Sequence, residues 1–295
     1  MGIPLLALFG GEPVALNASK LGDKPAPKQR PRKELLLRPV RPSAAVAAAY
    51  QKALLRLVDE MGKSTIWFVE AAYKGTPPEL AMDELSSEAM RKAIANLTKR
   101  WYKRFDTASE KLAKYFAKAA SSRSDAALRK ILKDGGFTID WKMTRPQRDA
   151  LNAVVNENVS LIKSIPRQHF QRVEGYVMRS VQTGRDMKQL ADDLQKSFKI
   201  TRKRAVIIAR DQNNKATGAL QRVRQIEIAG DDAEAVWHHS GGGRTPRRTH
   251  AKAGREKARF KVKEGWYDED EGRKVIPGEL INCRCFSRLV VKGFS

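Results

Sequence analysis

The sequence predicts a mainly α protein: an elongated helical bundle, then a small C-terminal α+β module, with an extended basic arm at the N-terminus. Three observations predict it. From about residue 44 to 228 apolar residues recur at helical spacing. Beyond Gly230 that period gives way to short β-type runs between Gly-rich and charged loops. Ahead of the helices, Pro4, Pro13, Pro25, Pro27, Pro31, Pro39 and Pro42 break any long helix.

The arm covers residues 1–45 and carries eight Lys or Arg against three acids. Such a segment is extended or disordered when free; it either stays a plain flexible terminus or orders against a partner. Leu35-Leu36-Leu37 offers it an apolar anchor. In the helical region, 46–183, Val46, Tyr50, Leu54, Leu57 and Met61 keep one face, extended by Trp67 and Phe68 up to a break at Gly75-Thr76-Pro77-Pro78. The next helix carries a stripe of Met90, Ile94, Leu97, Trp101, Phe105, Ala108, Leu112, Tyr115 and Ala119. Its polar face is basic from Arg91 to Lys118. A short helix near 126–133 ends at Gly135-Gly136.

Thr144 is placed to cap a helix from Arg145 to about Lys163, with Pro146 in its first turn. Ser164 and Pro166 open another that stops at Gly184. The C-terminal domain, 184–295, begins with two helices within 186–228, capped by Asp186 and Thr201. The second carries Ala205, Ile208, Ala209, Gln212, Ala216, Leu220 and Val223, and Arg210 beside them suits a structural role. The α+β module follows at 230–295, with strands expected at 235–237, 260–262 and 285–291. It is too small to hold a large core alone, so it leans on the preceding helix or on a metal.

Composition narrows the function classes. There are 57 Lys+Arg against 33 Asp+Glu, a formal net charge of +24. The favoured partners of such a surface are polyanions, above all nucleic acids. Aromatics are 7% of the chain and do not alternate with the basic residues, which favours phosphate contact over base stacking. No apolar run reaches the roughly 18 residues of a membrane span. The apolar stretch Ile3 to Phe9 has no basic residue ahead of it and reads poorly as a signal peptide. Two cysteines exclude a disulfide scaffold. A soluble, intracellular, cationic protein is the expectation.

Two constellations could carry chemistry. From His238 to Lys263 nine Lys or Arg stand against Glu256 alone. Arg244, Arg247, Arg248, Lys252, Arg255, Lys257 and Arg259 are the candidate nucleic-acid contacts: forked donors on a Gly-rich loop suit phosphate oxygens. The loop lacks a P-loop ending, so nucleotide hydrolysis is not expected. The second constellation joins His250 to Cys283 and Cys285, two thiols and an imidazole. With His238 or His239 as a fourth donor they would form a closed zinc site. Against zinc, zinc knuckles more often place two or more residues between their thiols. The other reading is a buried cysteine with His250 hydrogen-bonded inside the fold, and both stay open. A Cys–His nucleophile is conceivable, but no nucleophile motif surrounds either thiol. Asp268, Glu269, Asp270 and Glu271 read as solvated loop charge. Catalysis is not expected.

Taken in order, the helix ending IIARDQ, Trp237, the RTPRRTH run with Gly254-Arg255, and the closing NCRC resemble the phage Mu F-like family of minor head (head-morphogenesis) proteins. The resemblance covers roughly the last 110 residues, from Gly184 on. It implies a tailed-phage virion component at the portal vertex inside the capsid, present in the host cytoplasm during assembly, that aids head assembly and DNA packaging or ejection. The partners it implies are the portal protein, packaged double-stranded DNA contacted without sequence preference, and the major capsid protein, with no membrane. A metal- or thiol-dependent enzyme acting on nucleic acid or protein is the alternative, and an unrelated chromosomal DNA-binding protein a third.

Overall fold

The computed structural model describes residues 17–18, 34–74, 84–139, 142–183, 187–242 and 245–292. The expected break at 75–78, the stop at Gly184, the Asp186 cap, Arg244 and most of the N-terminal arm lie outside the described residues. The chain is mainly α with a small β region near its C-terminus. It contains α1 (Ala44–Lys74), α2 (Glu84–Asp134), α3 (Arg145–Gln182), α4 (Met187–Ala229) and α5 (Arg248–Arg255). The strands are β1 (Asn17–Ala18), β2 (Glu34–Leu36), β3 (Phe137–Thr138), β4 (Glu234–His238), β5 (Arg259–Lys261), β6 (Trp266–Asp268), β7 (Arg273–Val275) and β8 (Phe286–Lys292). Among the described residues no helix is long and apolar enough to cross a membrane.

Three helices are longer than the sequence pattern predicts. The expected pieces around 90–119 and 126–133 are one helix, α2, which stops where Gly135 and Gly136 begin. Helix α3 runs through Pro166, which was expected to open a new helix. Ile162, Ile165, Phe170 and Val173 are buried on both sides of the proline, and that burial offsets the roughly 3 kcal/mol cost of proline in a helix interior. Helix α4 likewise passes Thr201 without a break. The Thr201 hydroxyl donates back to the Ser197 carbonyl at 2.9 Å, a bond made inside a helix, so it caps nothing. Thr144 does cap α3: its Oγ1 accepts the Gln147 N–H at 3.3 Å.

The chain divides into two compact units, each assembled from separate stretches of sequence. One comprises residues 44–117 and 154–212 and is helical. Tyr50, Leu54, Met61, Leu97, Trp101, Phe105, Ile162 and Ile165 form its buried face, and Tyr50 stacks on Phe116 at 4.4 Å between ring centroids. Beyond Phe105 the buried stripe of α2 passes through Ser109, Ala113 and Phe116, one position ahead of the expected Ala108, Leu112 and Tyr115. Tyr115 is 64% exposed. Stepping 3.6 residues at a time from Phe105 lands on Ser109, a buried serine whose Oγ is satisfied by the Asp106 carbonyl at 2.8 Å. A polar residue thus hid the true stripe.

The other unit comprises residues 1–43, 118–153 and 213–295. Its sheet has the order β2-β8-β4-β5, antiparallel throughout. The apolar anchor of the arm is its edge strand, with Leu35 opposite Val291 and Leu36 opposite Val290. Strands β6 and β7 form a separate hairpin. The core gathers Leu128, Leu132, Ile228, Trp237, Phe260, Leu289 and Val291. Arg224 of α4, almost wholly buried, grips the Asp125 carboxylate of α2 with bonds of 3.0 and 3.1 Å and also donates to Glu227 at 2.9 Å.

Candidate functional site

Helix α5 carries His250 into the second unit, where it is buried beside Ala253. The Trp237 ring of β4 meets the imidazole edge-on at 4.8 Å. The helix lies close against the end of β4: a Cβ on Gly254 would stand 2.4 Å from the Cβ of His239. Only a glycine permits that approach.

The two cysteines sit in the loop ahead of β8, not on a strand as expected for residue 285. Gly278 has φ +90°, Asn282 has φ +60°, and the Cys283 N–H closes a turn on the Leu280 carbonyl at 2.9 Å. Both thiols turn toward the same ring nitrogen, as residues two apart do wherever the backbone is extended. Asn214 of α4 donates to the Cys283 carbonyl at 3.1 Å and pins the loop.

These elements bring all three expected donors together. His250 Nδ1 lies 3.4 Å from Cys283 Sγ and 3.7 Å from Cys285 Sγ. The three ligand atoms fall within 4.8 Å of one another, and all three residues are buried. Neither His238 nor His239 joins them, which corrects the expectation of a fourth histidine donor. His238 stacks on Phe286 at 6.1 Å, and His239 Nδ1 accepts the Gly241 N–H at 3.1 Å.

Sequence reasoning missed the fourth participant. Asp268, placed among solvated loop charges, is fully buried and its Oδ2 lies 3.0 Å from His250 Nε2. Its Oδ1 accepts the Asp270 N–H at 3.0 Å. The signal was present in the alternation Trp266-Tyr267-Asp268: in strand β6 the first and third residues share a face, and the first is aromatic.

The electrostatics follow from this packing. A hydrogen bond from the Cys285 thiol, opposed by burial but helped by His250 and by the Gly278 N–H at 3.4 Å, holds Cys283 well below the usual thiol range. Cys285, giving its proton to Cys283 and buried, is pushed up. Burial acts against protonated His250, but its bond to Cys283 and the charges of Cys283 and Asp268 win and raise it.

The basic candidates fare unevenly. Arg248, Arg255 and Lys257 are exposed, and none of them forms an ion pair among the described residues. Arg247 is held back, donating to the Ile281 carbonyl at 3.1 Å with Glu271 at 3.8 Å. Lys252 faces Glu269 at 3.9 Å, and Arg259 is bound to Glu34 of β2 at 2.5 Å. Arg210 is exposed, whereas Gln212 in the same motif is buried in a network with Asn158, Glu157 and Tyr50.

Comparison with known proteins bears on this region. An uncharacterized protein of Haemophilus influenzae is 28% identical over 269 residues, covering 88% of this chain and 55% of that relative. The chain thus spans about half the length of the curated relative it matches. No solved structure matches significantly. Residues 171–288 match the family described as Phage Mu protein F like protein, a range that contains Trp237, His250, Asp268, Cys283 and Cys285. Residues 171–288 of this chain are thus similar to the phage Mu F-like family.

Proposed function

We propose that the chain is a minor head protein of a tailed phage, bound at the portal vertex inside the head, where it contacts packaged DNA without sequence preference and aids head assembly and DNA packaging or ejection. The family match over residues 171–288 carries the head-morphogenesis part of this reading. The DNA part is supported by the net charge of +24 and by exposed basic faces, the α2 face from Arg91 to Lys118 and the α5 residues Arg248, Arg255 and Lys257. Each phosphate contact releases counterions, so a protein in a compartment of condensed DNA gains from unpaired cations and needs no base readout. In this role the chain binds and positions, and makes or breaks no covalent bond.

A pull-down against the cognate portal protein across a salt series tests the proposal. The expected result is retention at physiological salt; loss at every salt concentration contradicts it. Binding to unrelated duplexes of equal length should be equal, and should weaken by about a thousandfold between 50 and 200 mM salt if roughly six phosphates are contacted.

One observation favours a second reading, a thiol-dependent enzyme: Cys283, His250 and Asp268 are aligned as nucleophile, base and orienting acid. The thiols are buried, however. The cavity that reaches Cys285, lined also by Val40, Gly218 and Pro277, measures about 10 Å³. That is room for about one water and not for a substrate.

A further inference from the structure

We propose that His250 Nδ1, Cys283 Sγ and Cys285 Sγ bind one Zn²⁺ that staples helix α5 to the loop before β8, with Asp268 holding the imidazole through Nε2. The inference stands apart from the head-protein reading and survives its failure.

Geometry carries it. In a tetrahedral zinc site with Zn–S near 2.3 Å and Zn–N near 2.0–2.1 Å, a sulfur and a nitrogen ligand stand about 3.5 Å apart. The two N···S distances are 3.4 and 3.7 Å, on either side of that edge. A hydrogen-bonded cysteine–histidine pair needs one thiol at the ring nitrogen; here two converge on the same one. Two thiolates and an imidazole form a soft donor set that selects zinc over magnesium or calcium.

The outer surroundings fit as well. A metal-bound histidine almost always gives its other N–H to a carboxylate or carbonyl, which fixes the tautomer. His250 Nε2 meets the buried Asp268 at 3.0 Å, leaving Nδ1 to face the thiols. Binding requires deprotonated thiols and a neutral imidazole, so it is coupled to pH. Among the described residues no fourth Cys, His, Asp or Glu lies in the cluster, so the remaining position falls to a water. Burial of the thiols makes the role structural: the metal ties the eight-residue α5 to the loop before β8, in addition to the hydrophobic core they share.

The test uses the full chain without a histidine tag, purified and dialysed against metal-free buffer. Elemental analysis should find one zinc per chain. Cobalt substitution should give thiolate charge-transfer absorption with intense tetrahedral d–d bands. His250→Ala and Cys283→Ser should each retain less than a tenth as much zinc. Asp268→Asn, which keeps all three donors and guards against misfolding of the others, should weaken zinc affinity about tenfold or more. Substoichiometric zinc in the wild-type chain, with no cobalt bands, overturns the proposal. So does rapid alkylation of one thiol in the presence of excess zinc, which would point to a free nucleophile.

Discussion

His169 illustrates how one side chain sets a pH dependence. The Thr201 hydroxyl gives its proton to Ser197, so Nδ1 of His169, 3.0 Å from Thr201 Oγ1, must be the donor in that bond. Nε2 is buried with no hydrogen-bond partner. Burial, helped by the nearby Arg172 charge, lowers the His169 pKa to about 4. The folded chain then resists a proton that the unfolded chain accepts below about pH 6.5, so stability falls as pH drops from 6.5 toward 4. The loss approaches about 3 kcal/mol at the acid end. Denaturant midpoints across that range should show it, and His169→Asn, which keeps a donor to Thr201, should flatten the curve. At Gly254 the usual sign reverses. Gly→Ala in a helix ordinarily stabilises by about 0.5–1 kcal/mol, but here the new Cβ meets His239 at 2.4 Å. Gly254→Ala should therefore destabilise by about 1–3 kcal/mol in thermal unfolding.

Between elements, the contact with most at stake is Arg224. It joins α4 to Asp125 of α2 from an almost solvent-free position. Arg224→Ala leaves two carboxylates without their partner and should cost about 3–5 kcal/mol in urea unfolding, whereas breaking the exposed, solvent-screened pair Arg259–Glu34 should cost far less. Local signals were readable wherever local chemistry decides an end. The Thr144 cap and the Gly135-Gly136 stop are such cases. Pro166 and Thr201 were misleading, because burial along α3 and α4 overrides a local preference for a boundary. The site divided the same way. His250, Cys283 and Cys285 could be named from their donor chemistry. Asp268 could not, because its acidic neighbours Glu269, Asp270 and Glu271 are exposed and masked the one that is buried.

On the scale of the whole molecule, charge is the property that links sequence to role. The surplus of +24 is spread over the chain, and many cations near α5 are answered by Glu34, Glu269 and Glu271. The unanswered ones are the better candidates for phosphate. Replacing Arg248, Arg255 and Lys257 together by alanine should reduce the salt slope of DNA binding by about three and weaken all sequences alike. An effect confined to one sequence would contradict phosphate contact. The proposed role requires residence in the particle. Quantitative mass spectrometry of purified DNA-filled heads, made from the element that encodes the chain, measures this directly: a few copies per portal vertex are predicted, and heads that mature and fill while lacking the chain would contradict it.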